Sequence, residues 1–149
     1  MINEGAMTEK EYKQIKSEDS NGVVVTNSTS EDMLVYGPAR AADGGNFVTS
    51  WYILHPGKAT PRSGNFQGLY IPKDRNFVDS DGKTSQGPAA VRYSASKSVT
   101  ITGSENQYLE KNQHNDGIYH SSEINWPIPD FSSADCQKIN KVSYEVGNK

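Results

Sequence analysis

The sequence predicts an all-β fold: an antiparallel β-sandwich, or a partly open barrel, of about seven to nine short strands with a short N-terminal helix. Three observations predict it. Nineteen Val and Ile stand against four Leu, a bias toward side chains that crowd a helix but fit a pleated surface. The apolar residues come in brief bursts, several alternating with polar neighbours at the period of a half-buried strand. Thirteen Gly and seven Pro, among many Ser and Asn, punctuate those bursts as turns.

Taken in order, Met1–Asn21 is polar and mixed in charge. Thr8-Glu9-Lys10-Glu11 fits a capping box, so a helix is expected from Glu9 to about Lys16, with Tyr12 and Ile15 as its apolar stripe. Residues 1–22 are read as a polar arm and 23–149 as a single β-domain. Val23–Asn27 is the first strand and Met33–Tyr36 the second, and Ser28–Glu31 between them has the length of a hairpin loop. Gly37–Asn46 is a loop. Phe47–Leu54 is apolar on both faces and is expected at the centre of a sheet. His55-Pro56-Gly57 stops it. Leu69–Ile71 is a short strand closed by Pro72, and Lys73–Pro88 reads as the longest irregular stretch, with a turn at Asp79–Gly82.

Ala89–Ser94 and Ser98–Thr102 read as the clearest hairpin of the chain, because Val91, Tyr93, Val99 and Ile101 alternate with polar residues. Tyr108-Leu109 and Ile118-Tyr119 are brief apolar pieces. Trp126-Pro127-Ile128-Pro129 must be extended, since proline disfavours helix at itself and at the residue before it. Ser132–Asp135 caps one helical turn ending near Gln137. Ile139–Val146 is expected to be a last strand.

Composition excludes several classes. The chain has 149 residues and a net charge of −3, too little charge for a disordered chain. Cys136 is the single cysteine, so no intramolecular disulfide forms. There is no apolar run of the ~20 residues a membrane helix needs, and no secretory leader pattern is visible. The compartment stays open. Basic residues dominate from Lys58 to Lys97 and acidic ones from Gly103 to Asp135. The basic residues are singly spaced and the pI is about 5.6, which argues against nucleic acid.

Motifs fail on inspection. Gly82-Lys83-Thr84 lacks the glycine of a phosphate loop, because Phe77 stands where it is needed. Asp79-x-Asp81-Gly82 lacks a calcium loop's first and last ligands, because Phe77 and Pro88 occupy them. A looser calcium site through Asp74, Asp79 and Asp81 competes with a plain solvated turn. His114 and His120 are separated by a turn and read as surface histidines. Ser63 is not in a nucleophile elbow, and Cys136 reads as a small buried hydrophobe. No catalytic residue, metal ligand or cofactor site is assigned, and no enzyme activity is expected. Asn27-Ser28-Thr29 is a glycosylation sequon, placed on the first hairpin loop.

What remains is aromatic. Trp51, mid-strand, is assigned to the core. Tyr70, Tyr108, Tyr119 and Trp126, near strand ends or in loops, are the candidate ligand-binding residues, since aromatic rings beside amides grip sugars or peptides at small entropy cost. The function expected is a non-catalytic binding module that recognises a glycan or a protein surface through long polar and aromatic loops. The alternatives are a membrane-interacting sandwich, with Lys58, Arg62, Lys73 and Arg75 against anionic lipid, and an inhibitory or structural partner of another protein.

Overall fold

The computed structural model describes residues 22–37, 50–60, 62, 66–94 and 96–138. Among them are ten strands and one helix: β1 (Val24–Ser28), β2 (Met33–Gly37), β3 (Ser50–Leu54), β4 (Gly68–Ile71), β5 (Asn76–Val78), β6 (Thr84–Gln86), β7 (Ala89–Arg92), β8 (Ser98–Ser104), β9 (Gln107–Lys111), β10 (Gly117–Tyr119) and α1 (Ser133–Lys138). The fold is all-β, as the β-branched composition requires. The strands form two five-stranded sheets, one in the order β1-β8-β9-β5-β6 and the other β10-β7-β4-β2-β3. Neither closes into a barrel.

The two sheets share one core. Val25, Phe77, Val99, Ile101 and Tyr108 come to it from the first sheet, and Val35, Tyr52, Leu54, Leu69, Ile71 and Val91 from the second. In β8 the alternation seen in the sequence is realised: Val99 and Ile101 are buried while Thr100 and Thr102 are half-exposed. In β2 and β4 every residue is buried, so the second sheet must be covered on its outer face too. The cover is the C-terminal segment. Trp126, Ile128, Phe131 and Cys136 pack on Leu34, Tyr36, Trp51, Ile53, Tyr70 and Ala90.

That segment is a strap, because its prolines cannot extend a ladder. Polar side chains of the sheet hold it by its carbonyls instead. Trp51 Nε1 donates to Pro127 O at 2.6 Å. The Tyr70 hydroxyl donates to Pro129 O and accepts from Phe131 N at 2.8 Å. The Trp126 ring stacks on Tyr36 at 4.2 Å between centroids. Gly68 lies directly beneath it, where a Cβ would come within 2.5 Å of the indole, so the close approach of strap to sheet requires glycine there. The strap ends in α1, which Ser132 and Asp135 cap reciprocally (Asp135 N to Ser132 Oγ 3.1 Å, Ser132 N to Asp135 Oδ2 2.9 Å). This is the helical turn expected from the sequence.

The pairing differs from expectation at several places. β1 and β2 do not form a hairpin. β1 lies parallel beside β8, and β2 lies antiparallel between β3 and β4. The link after Ser28 therefore crosses from one sheet to the other. Likewise β7 and β8 are not a hairpin: β7 pairs with β4 and β10, β8 with β1 and β9. Alternation tells which side of a strand is buried. It does not distinguish a neighbour in the same sheet from one facing it across the core. The expected antiparallel pattern is also broken by a second parallel pair, β5 with β9. The stretch read as irregular, Lys73–Pro88, holds the β5–β6 hairpin. Its short strands carry too few apolar residues to be recognised. β3 ends its sheet among the described strands, and its apolar faces are explained by core on one side and strap on the other. The described residues hold ten strands, where about seven to nine were expected. The helix at Glu9–Lys16 and the strand at Ile139–Val146 lie outside the described residues.

Candidate functional site

The crossing link between β1 and β2 builds the site. Asn27, fully buried at the end of β1, donates through Nδ2 to Glu31 O (2.9 Å) and Leu54 O (2.8 Å). Its Oδ1 accepts from Thr29 N (2.9 Å) and Thr29 Oγ1 (2.6 Å). Every polar atom of this amide is engaged, which fixes the link as it leaves one sheet for the other. The sequon at Asn27 is thus a structural clamp, and its nitrogen has no hydrogen left to offer a sugar.

So fixed, the link overhangs the β8–β9 hairpin and the start of β5. A cleft of about 370 Å³ opens there, lined among others by Ser28, Ser30, Glu31, Arg75, Ser104 and Gln107. Its floor is a closed polar cluster. Glu31 accepts from Arg75 Nη2 (2.9 Å, to Oε1), from Arg75 Nε (3.2 Å, to Oε2) and from the Tyr108 hydroxyl (2.6 Å, to Oε2). The two-pronged guanidinium contact is a strong one, because its geometry matches the carboxylate. Hydrogen bonding to Glu31 raises the Arg75 pKa further. Burial, and then the bond to Glu31, push the Tyr108 hydroxyl far above the usual tyrosine range. Arg75 is therefore held as a cation and Tyr108 as a neutral donor, both fixed in position on Glu31.

The rim is different. The side chains of Ser28, Ser30, Ser104, Glu105 and Gln107 line the cleft, and among the described residues none of them has a hydrogen-bond partner within the chain. Three hydroxyls, a carboxylate and an amide thus belong to residues around one space, with bonding capacity not used by the described residues. Such an arrangement can donate to and accept from a ligand that carries many hydroxyls or amides. It offers little apolar area.

Of the four aromatic candidates, Tyr108 alone lines this cleft, and it does so from the core, at 1% exposure. Tyr70 is fully buried, its hydroxyl bound to the strap. Neither is the exposed ring that its position near a strand end suggested. The reason is the strap and the link, which cover these ends and are invisible in a local reading. Trp126 is half-buried against Tyr36. Tyr119 is half-exposed on β10, at an end of the second sheet. The structure does not bring the four together.

The cations are likewise separate. Arg62 donates to Gly22 O (2.9 Å) and Ser98 Oγ (2.5 Å). Lys73 lies 3.9 Å from Asp130, and Arg75 belongs to the cleft floor. At Lys58 the backbone is bonded to that of Asn27. Asp74 is diverted from Asp79 and Asp81, since its carboxylate accepts from Ser133 N (2.8 Å) and Ser133 Oγ (2.9 Å) at the start of α1. His120 faces Glu123 and the Gln86 carbonyl. Cys136 is buried and its pKa is pushed up to about 12, chiefly by desolvation, so it packs as an inert side chain.

The residues that sequence reasoning missed are Glu31, Arg75, Ser104 and Gln107 as a group. Glu31 and Arg75 are 44 positions apart, and no spacing rule connects them. Comparison with known protein families, with curated proteins and with solved structures finds no match to this chain.

Proposed function

We propose that the protein is a non-catalytic binding module and that the cleft beneath the β1–β2 link takes a glycan. One observation carries this reading: a rigid floor, Glu31–Arg75–Tyr108, surrounded by residues whose side chains have no hydrogen-bond partner among the described residues. Groups of that kind are worth most when a ligand satisfies them, and they discriminate by leaving unmatched partners unpaired. A sugar presents hydroxyls that both donate and accept, which suits a rim of hydroxyls, carboxylate and amide. Recognition here rests on hydrogen bonds and not on stacking, because Tyr108 is only 1% exposed.

A broad glycan array with the purified full chain tests the reading, followed by calorimetry on any hit. Gln107→Ala removes one rim amide from a half-exposed position, and about a tenfold loss of affinity is expected for a lost hydrogen bond of ordinary strength. Absence of any hit, together with capture of a protein ligand sensitive to Gln107→Ala, would move the assignment to a protein surface. Binding that Gln107→Ala and Ser104→Ala both leave unchanged would remove the cleft from the proposal.

A further inference from the structure

We propose that Asp79, Asp81 and His114 form a site for a divalent first-row transition metal of the zinc or manganese kind. The three offer one ligand atom each, and these atoms lie within 4.8 Å of one another. That span is what an ion with bonds of roughly 2.0–2.3 Å can bridge.

The case rests on the orientation of the groups. Asp79 follows β5 and closes the β5–β6 turn. Its Oδ1 accepts from Asp81 N (3.0 Å) and Lys83 N (2.9 Å). Among the described residues no hydrogen bond is donated to its Oδ2. Among the described residues its one ion-pair partner is His114 Nε2, at 3.4 Å, although the Asp79 side chain is 5% exposed. A carboxylate oxygen withdrawn from water with so distant a partner is costly unless a cation attends it. His114 is set to supply the matching ligand. Its Nδ1 is 2.8 Å from the Asn115 carbonyl. A carbonyl only accepts, so Nδ1 carries the proton, and it is in the neutral form of the ring that Nε2 offers a lone pair. Nε2 lies 3.1 Å from Asp81 Oδ2 as well as 3.4 Å from Asp79 Oδ2. An N–H···O=C bond on the far ring nitrogen is the arrangement that orients metal-binding imidazoles.

Glu110 ties the two ligand-bearing loops together. Its buried carboxylate accepts from Ser80 N (2.8 Å), which lies between the two aspartates, and from the Asn115 side chain (3.2 Å), next to His114. The Tyr93 hydroxyl adds a bond of 2.6 Å. Mixed oxygen and nitrogen donors favour zinc or manganese over calcium, which takes six to eight oxygens. Asp81 and His114 are exposed, so solvent can reach the ion and complete its coordination. The competing arrangement is an imidazolium held by the two carboxylates. Desolvation opposes that form, but the Asn115 carbonyl and the charges of Asp81, Glu110 and Asp79 outweigh it and raise the ring's pKa.

Calorimetry on the untagged full chain, stripped with EDTA and dialysed, decides between them. ZnCl2, MnCl2 and CaCl2 are titrated separately at pH 7.5. The expected result is one Zn²⁺ or Mn²⁺ per chain, with Ca²⁺ at least tenfold weaker. His114→Ala and Asp81→Asn, each at an exposed position, should lower the affinity at least tenfold while the far-ultraviolet spectrum stays unchanged. If His114→Ala disturbs the fold, Asp81→Asn alone decides. No saturable binding of either ion by the folded wild-type chain at millimolar metal overturns the proposal, as does binding that persists undiminished in Asp81→Asn.

Discussion

Asn27 and Tyr70 were legible as residue types and misleading as to place. In sequence, Asn27 opens a sequon and Tyr70 sits near a strand end. In the fold, both are buried and every polar atom of each has work within the chain. Their partners are backbone groups brought in from elsewhere, up to 61 positions away for Tyr70, and a local reading cannot see such partners. Tyr70→Phe keeps the ring and deletes the hydroxyl that binds both Pro129 and Phe131. It should destabilise the protein by about 1–3 kcal/mol, the range for leaving buried backbone groups unsatisfied. The same change at half-exposed Tyr119 should cost much less. Urea unfolding of the two variants measures the contrast, and equal costs would show that the Tyr70 hydroxyl does not hold the strap. Trp51 was placed correctly in the core, because a large ring in mid-strand has nowhere else to go.

At the level of elements, the strands from Met33, Leu69, Ala89 and Ser98 were readable because β-branched and aromatic residues cluster there. Their pairing was not. β1 and β2, like β7 and β8, are consecutive in sequence and lie in different sheets. The capped turn at Ser132 was readable because a cap is a local device. Its anchor, Asp74, is not local. Desolvation alone would raise the Asp74 pKa, but the Ser133 amide and hydroxyl and the Arg75 charge outweigh it and hold the carboxyl below its ordinary range. A depressed carboxyl contributes stability that is present above the unfolded pKa, about 4, and is lost as pH falls through the folded value. Acidification below about pH 4 should therefore loosen α1 and the strap from the second sheet. Asp74→Asn should flatten the fall of Tm below about pH 4. Parallel Tm profiles for wild type and variant would rule Asp74 out as the anchor.

At the scale of the whole molecule, the parallel register of β5 and β9 separates the two sites. Asn76 pairs with Gln107 at the cleft end and Val78 with Leu109 toward the Asp79–His114 end. The strands carry the cleft on their N-terminal side and the metal ligands on their C-terminal side. Sites joined by two rigid strands but sharing no side chain should respond independently. EDTA treatment, or Asp81→Asn, should leave binding in the cleft unchanged within about twofold. A larger loss of cleft binding on metal removal would show that the β5–β9 pair transmits between its ends.

The sequence by itself determined the all-β class, the positions of most strands, the burial of Trp51 and Cys136, and that the proline-bearing segment Trp126–Pro129 forms no helix. These follow from side-chain shape, period and proline geometry, which act within a few residues. Only the tertiary structure decided which strands are neighbours, that the second sheet is covered on both faces, and that Glu31 meets Arg75 and Tyr108 while Asp79 meets His114. Those depend on which segments cross between the layers, and a crossing leaves no trace in the local pattern because a strand's buried face looks the same to a neighbour beside it and to one opposite.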